Sequence, residues 1–248
     1  MKEEAKNRDF TEDKFLGGRI SIKQPKQGFR AGHDSVLLAA AVSARADDRI
    51  LELGSGSGVS SLCLATRISG CEVLGIEIDS ALVALANENA KRNGMGERVR
   101  FVTGDAREVK PDSAPFDHVF FNPPFHPDTG QVSPHAARDL ATRDTDDAVH
   151  SWTKHAMTLV KSGGAVTAIL RADRQDDFLA VSGRAGAVVL PLLPGVGEPP
   201  KRVIVQKHLG NTTPFSTMTG FPLHEEGRPT HGAEAVLRHA AALPLVKN

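Results

Sequence analysis

The sequence predicts an α/β fold, a mostly parallel sheet covered by helices on both faces. Three observations carry this reading. Short apolar runs alternate with helical patterns along most of the 248 residues. The first of these runs ends in a cluster of glycines that leads straight into a helical stretch. Acidic residues then follow the next two runs, at the strand ends where open α/β sheets bind ligands.

Residues 1–30 read as a polar, basic lead-in. A helix is expected over 34–44, where Val36, Leu37, Leu38 and Val42 are apolar. Residues 49–53 form a short buried strand, and a helix follows over 59–68. The second strand covers 72–76 and the second helix 80–93, capped by Ser80 and ended at Gly94. Third and fourth strands cover 99–103 and 118–121. A helix over 148–160 stops at Ser162-Gly163-Gly164, and a fifth strand covers 165–170. After a helix over 174–185, two last strands at 187–192 and 202–207 are joined through Pro194-Gly195-Val196-Gly197. They read as an antiparallel hairpin at the sheet edge. A final helix spans 233–241. The expected sheet thus has seven strands. The expected organisation is a basic extension (1–30), a main domain (31–210) and a C-terminal extension (211–248) packed on that domain.

An apolar content of 40% is enough for a normal core. No apolar run approaches the roughly 20 residues of a membrane span. The charged start, Met1-Lys2-Glu3-Glu4-Ala5-Lys6, has no apolar stretch behind it and argues against a signal peptide. Cys63 and Cys71 fit no metal or redox spacing and read as buried thiols in a reducing compartment, so a cytoplasmic location is expected. The histidines form no ligand pattern, and no metal is expected. Net charge is zero, which gives no global pull toward nucleic acid. Two basic clusters stand out nonetheless. One holds Lys14, Arg19, Lys23, Lys26 and Arg30, the other Lys201, Arg202 and Lys207. Each could form a phosphate-binding face or a solvated surface.

The first strand runs through Leu51-Glu52-Leu53 into Gly54-Ser55-Gly56-Ser57-Gly58. Glycines there let the backbone turn sharply and pass close to a ligand. A dinucleotide fold expects Gly-x-Gly-x-x-Gly, whose last place is here Val59, so NAD is disfavoured. Glu77 ends the second strand, where it can accept both hydroxyls of a ribose. Asp105, in Gly104-Asp105-Ala106 after the third strand, can accept the amino group of an adenine.

The fourth strand ends in Asn122-Pro123-Pro124-Phe125. Proline after Asn122 pushes that residue into an extended conformation, and the two prolines remove two backbone donors. What faces the ligand is then mostly acceptors, the Asn122 side-chain oxygen and the Pro123 carbonyl. An exocyclic amino group or a glutamine amide offers two N–H donors to match, and Phe125 offers a face for stacking. The polar stretch 126–147 is long for a loop, and such loops are commonly functional. Arg138 and Arg143 within it are candidate phosphate contacts. Trp152, near His155 and Met157, reads as packing.

Taken together, these residues resemble the class I S-adenosylmethionine-dependent methyltransferases over roughly residues 30–208. A narrower resemblance lies in Gly17-Gly18-Arg19-Ile20 and in the run Gln24-Pro25-Lys26-Gln27-Gly28-Phe29-Arg30-Ala31-Gly32-His33-Asp34-Ser35-Val36-Leu37-Leu38-Ala39. It is similar to the opening of the bacterial tRNA1(Val) (adenine-N6)-methyltransferase family, as is the stretch 130–143. The resemblance implies a Rossmann-like fold with S-adenosylmethionine as cofactor. It implies that Arg30 to Asp34 border the methyl-donor pocket and that Glu52, Gly54, Gly56, Gly58, Glu77, Asp105 and Ala106 hold the cofactor, with Asn122 beside it. Asn122 and Phe125 would hold an adenine of tRNA near the anticodon. Asn-Pro-Pro-Phe-His also occurs in guanine-N2 methyltransferases of rRNA, and the motif equally suits a protein glutamine. A catalytically silent RNA- or partner-binding protein on the same scaffold is the alternative of another class.

Overall fold

The computed structural model describes residues 9–28, 30–110, 115–124 and 148–245. The lead-in contributes a two-stranded antiparallel sheet, β1 (Phe10–Phe15) and β2 (Ile20–Pro25). Helix α1 (His33–Ala41) follows. Then come β3 (Arg49–Leu53), α2 (Val59–Arg67), β4 (Glu72–Glu77), α3 (Ser80–Arg92), β5 (Val99–Thr103) and β6 (Phe116–Phe121). The second half holds α4 (Ala148–Leu159), β7 (Val160–Arg171), α5 (Gln175–Ser182), β8 (Ala187–Gly195) and β9 (Arg202–His208). Two-residue strands β10 (Ser216–Thr217) and β12 (Arg228–Pro229), strand β11 (Phe221–Glu225) and helix α6 (His231–His239) complete the described chain.

The main sheet has ten strands in the order β12-β11-β8-β9-β7-β6-β3-β4-β5, with β10 also on β8. Strands β5, β4, β3, β6 and β7 are mutually parallel, and β9 runs antiparallel to both β7 and β8. Parallel strands need crossover connections, and the helices lie on the two faces as such connections require. Strand residues are buried on both sides, so successive side chains feed different cores. Ile50 and Phe120 pack with α1, α2 and α3, whereas Leu51, Leu53 and Phe121 pack with α4 and α5.

The sheet differs from expectation in strand count and in its edge. The β8–β9 hairpin is interior, because β10 and β11 of the C-terminal segment pair in parallel along β8 and extend the sheet beyond it. The polar, basic lead-in also carries regular structure, the β1–β2 hairpin. Its strand Phe10–Phe15 carries three consecutive charged residues, Glu12, Asp13 and Lys14, and has no buried residue, which masks it in the sequence. The hairpin holds because Ile20 and Ile22 are buried and because α3 satisfies the free edge of β2. Asn89 Oδ1 accepts from Lys23 N at 2.9 Å and its Nδ2 donates to Lys23 O at 3.0 Å. Asn93 repeats the arrangement on Ser21, at 3.0 and 2.9 Å. Four residues along a helix rise about 6 Å, and two along a strand about 6.6 Å, so the two asparagines match alternate strand residues. The α3 cap also moves by one residue: the Asp79 carboxylate, not Ser80, accepts from Ala81 N.

Candidate active site

The carboxyl ends of β6, β3, β4 and β5 lie side by side, and the chain leaves β3 for β4 on one flank while β6 lies on the other. This is the switch point at which open α/β sheets bind ligands. The four motifs follow those four ends.

The glycine loop begins where Gly54 N and Ser55 N both donate to Ile76 O, at 2.8 and 2.9 Å. Gly58 N returns to Ser55 O at 2.9 Å and opens α2. Gly54 has φ +71°, and a Cβ there would lie 2.6 Å from the Trp152 ring. Gly58 has φ +85°, and a Cβ there would lie 2.7 Å from the Phe101 ring. Both positions therefore exclude a side chain by conformation and by space. Trp152 of α4 also packs edge-on against Phe121, with ring centroids 5.9 Å apart.

Glu77 leaves β4 with its carboxylate pinned by two backbone amides. Gly56 N donates to Oε2 at 2.9 Å and Asp79 N to Oε1 at 3.0 Å. Each oxygen keeps a further lone pair, so the carboxylate is oriented and still able to accept. Gly104 N donates to Glu77 O at 3.0 Å, which brings Gly104-Asp105-Ala106 alongside. Asp105 accepts from Arg107 N at 2.8 Å and from Arg107 Nη2 at 2.7 Å. The Arg107 guanidinium and amide hold its carboxyl below the usual range. Ala106 is buried.

Asn122 stands at the end of β6, half-buried, with Pro123 buried and Pro124 exposed. Its Oδ1 is enclosed and has no hydrogen-bond partner, and the same holds for Ser55 Oγ and His155 Nε2. An enclosed acceptor without a donor is expensive in a folded protein. Here one lies at the mouth of a glycine loop, where a ligand can satisfy it.

Residues 50–143 match a family model described as a methyltransferase domain. A Bacteroides fragilis protein named tRNA1(Val) (adenine(37)-N6)-methyltransferase is 29% identical over 196 residues, covering 77% of this chain and 82% of that protein. The chain is an S-adenosylmethionine-dependent methyltransferase. It resembles the tRNA1(Val) (adenine-N6)-methyltransferases over most of its length. A release factor glutamine methyltransferase of Chlorobaculum tepidum is 34% identical to this methyltransferase over 118 residues, 46% of the chain and 40% of that protein. The crystal structure of a predicted O-methyltransferase from Agrobacterium tumefaciens shares the fold, with a TM-score of 0.70. It is 22% identical and covers 87% of this chain and 99% of its own.

The residues present fit S-adenosylmethionine. The glycine loop, the oriented Glu77 carboxylate and the enclosed Ser55 and Asn122 oxygens lie together at the adjacent carboxyl ends of β3, β4 and β6. Among the described residues no group of His, Cys, Asp and Glu could hold a metal, and no helix is long and apolar enough to cross a membrane.

Three expected cofactor contacts of the methyltransferase are engaged elsewhere. Strand alternation turns Glu52 toward α2, where it is 3% exposed. Its Oε2 accepts from Ser61 N at 3.1 Å and from Ser61 Oγ, so it ties the helix to the sheet instead of meeting a ligand. Arg30 donates to Thr11 Oγ1 at 2.7 Å, Pro25 O at 3.0 Å and Asp13 Oδ2 at 2.7 Å, which commits its guanidinium to the hairpin. Asp34 accepts from Arg202 Nε at 3.1 Å, joining α1 to β9. Several members of the basic clusters are likewise engaged, by acids and carbonyls. Lys23 pairs with Glu88, Lys26 with Asp9, and Lys207 Nζ turns onto the Gly183 and Ala185 carbonyls. Phe125, Arg138 and Arg143 lie outside the described residues.

The sequence reading missed Gln24. It occupies the third inward place on β2 after Ile20 and Ile22 and is 1% exposed. A polar residue continuing a period-two apolar face was the available signal.

Proposed function

We propose that this protein transfers a methyl group from S-adenosylmethionine to an exocyclic amino nitrogen, adenine N6 in tRNA near the anticodon. The observation that carries the reading is the enclosed, unpartnered Oδ1 of Asn122 beside the glycine loop. The relatives that match most of the chain are named for this reaction. When bound, S-adenosylmethionine supplies an electrophilic methyl group on a sulfonium.

Adenine N6 is a poor nucleophile because its lone pair is shared with the ring. Asn122 Oδ1 and the Pro123 carbonyl accept its two hydrogens and hold the nitrogen so that its lone pair faces the donor. Their work is orientation, which can supply a large part of a rate enhancement. The methylated nitrogen is acidic and loses its extra proton to water, so no strong base is needed. Glu77, Asp105 and the glycines hold the donor's nucleoside. Phe125 stacks on the base, returning about 1–3 kcal/mol of the energy of taking it from its own stack. That extraction is easiest in a single-stranded loop, which favours the anticodon arm. Arg138 and Arg143 contact its phosphates. Residues 31–210 form the transferring unit between the two extensions, and the protein works in the cytoplasm.

A glutamine amide presents the same two N–H groups, and the Chlorobaculum relative is named for that acceptor. Incubation with labelled S-adenosylmethionine and total bacterial tRNA, followed by nucleoside analysis, separates the readings. N6-methyladenosine in tRNA is expected. No label in tRNA, with cofactor binding intact, would move the acceptor to rRNA guanine or protein glutamine.

A further inference from the structure

A glycine-rich loop has few side chains with which to hold its own shape, so its conformation must be imposed from outside. In this chain it is imposed through Ser57, the residue between Gly56 and Gly58. Ser57 Oγ donates to Gln24 Oε1 at 3.3 Å, and Ser57 O accepts from Asn89 Nδ2 at 3.0 Å. Both holders are fully enclosed, Gln24 at 1% and Asn89 at 0% exposure.

Gln24 has no spare capacity. Its Oε1 also accepts from Ala31 N at 2.9 Å, and its Nε2 donates to Asp13 Oδ2 at 2.9 Å and Ala31 O at 3.1 Å. One amide therefore joins β1, the segment leading into α1, and the glycine loop. Asn89 pairs with the backbone of Lys23, next door on β2, through the same amide that reaches Ser57. The loop in turn presents Gly56 N to Glu77, so a shift at Ser57 moves the carboxylate that faces the ligand.

We propose that Gln24 and Asn89 are positioning residues for the nucleoside half of the cofactor, and that they make its binding depend on the docked N-terminal hairpin. The inference rests on the reading of the cleft as the cofactor site. Neither residue touches the ligand. They hold the Gly56–Gly58 backbone and, through it, Glu77 in the binding arrangement before the ligand arrives, which lowers the ordering that binding requires.

Asn93 supplies the control. It makes the same two bonds to the β2 backbone, at Ser21, but does not reach the loop. The test is calorimetric titration of the full chain with S-adenosylhomocysteine, alongside thermal unfolding, for Gln24→Ala, Asn89→Ala and Asn93→Ala. All three are expected to lower Tm. Only Gln24→Ala and Asn89→Ala are expected to weaken binding, by about tenfold, or about 1.4 kcal/mol. Should Gln24→Ala fail to fold, the comparison of the two asparagines decides. Equal affinities in the Asn89 and Asn93 variants would overturn the inference alone. Failure of the unaltered protein to bind would overturn the reading of the cleft as well.

Discussion

Glu52 and Glu77 sit on neighbouring strands, β3 and β4, yet only Glu77 keeps its carboxylate at the cleft. Burial pushes the Glu52 carboxyl up to about 8 from an ordinary 4.5. The folded protein therefore keeps a proton that the unfolded chain releases, and this residue's contribution to stability falls as pH rises from about 4.5 to about 8. His118 acts in the opposite sense. It is enclosed against Thr167, and burial drives its imidazole down to about 3 from 6.5. The unfolded chain gains a proton below pH 6.5 that the folded protein refuses, so stability is lost as pH falls from there toward 3. Between pH 4.5 and 6.5 the two slopes, each approaching about 1.4 kcal/mol per pH unit, oppose one another. Urea unfolding is expected to show a flatter profile in this window for the unaltered protein than for either variant. Glu52→Gln leaves the acid-side loss uncompensated, and His118→Gln leaves the loss on raising pH. Identical profiles for all three would contradict these protonation states. Asn122, Glu77 and the glycines were legible because their chemistry is local: a proline fixes its neighbour, and an acid ends a strand. Glu52 was misplaced because its partner, Ser61, lies nine residues on. Gln24 was missed because Asp13, Ala31 and Ser57 come together only in the fold.

Among the elements, the strands at 49–53 and 99–103 were read from the sequence with their observed bounds, since apolar runs closed by polar residues leave little choice. The β1–β2 hairpin was not, because its outward charges conceal a strand whose stability comes from α3. The contact between α4 and the glycine loop was invisible for the same reason. Trp152 read as packing, and it packs, but its surface is the loop itself. Gly54→Ala is expected to destabilise the protein by about 1–2 kcal/mol through its left-handed backbone, and further through the Trp152 ring. Trp152→Leu in the same chain should relieve the second part and leave the first. Thermal unfolding in a double-mutant cycle measures the split. Strict additivity of the two substitutions would show that ring and loop do not press on each other.

At the scale of the molecule, the two ends of the chain close over α1. Arg19 donates to His239 O at 3.2 Å, and Leu243 N donates to Ala40 O at 2.9 Å. Val236 and Leu243 are buried beside α1 and the hairpin turn. The C-terminal segment thus completes both a core and a sheet edge. A chain ending after residue 210 would expose the edge of β8, which invites aggregation. It would also lose the burial of Val236 and Leu243, roughly 3–6 kcal/mol for the pair. Against a typical total of about 5–15 kcal/mol, the shortened chain is expected to be insoluble or to unfold far below the full one. An unchanged Tm would contradict this. The sheet core was legible in the sequence as a whole. The closure was not, because Phe221–Glu225 has no fully buried residue and contains Pro222, so it does not announce a strand.

The central claim is that one cleft separates two tasks, with the donor held by the loop and Glu77 and the acceptor nitrogen held by Asn122. The most direct test measures S-adenosylhomocysteine affinity and methyl transfer to tRNA side by side for the unaltered protein and Asn122→Ala. Affinity is expected to stay within about twofold, while turnover falls by about 10²–10³ or more, the scale seen when one polar group of a transition-state cradle is removed. Turnover that survives the substitution would contradict the assignment of Asn122 and, with it, this account of the site.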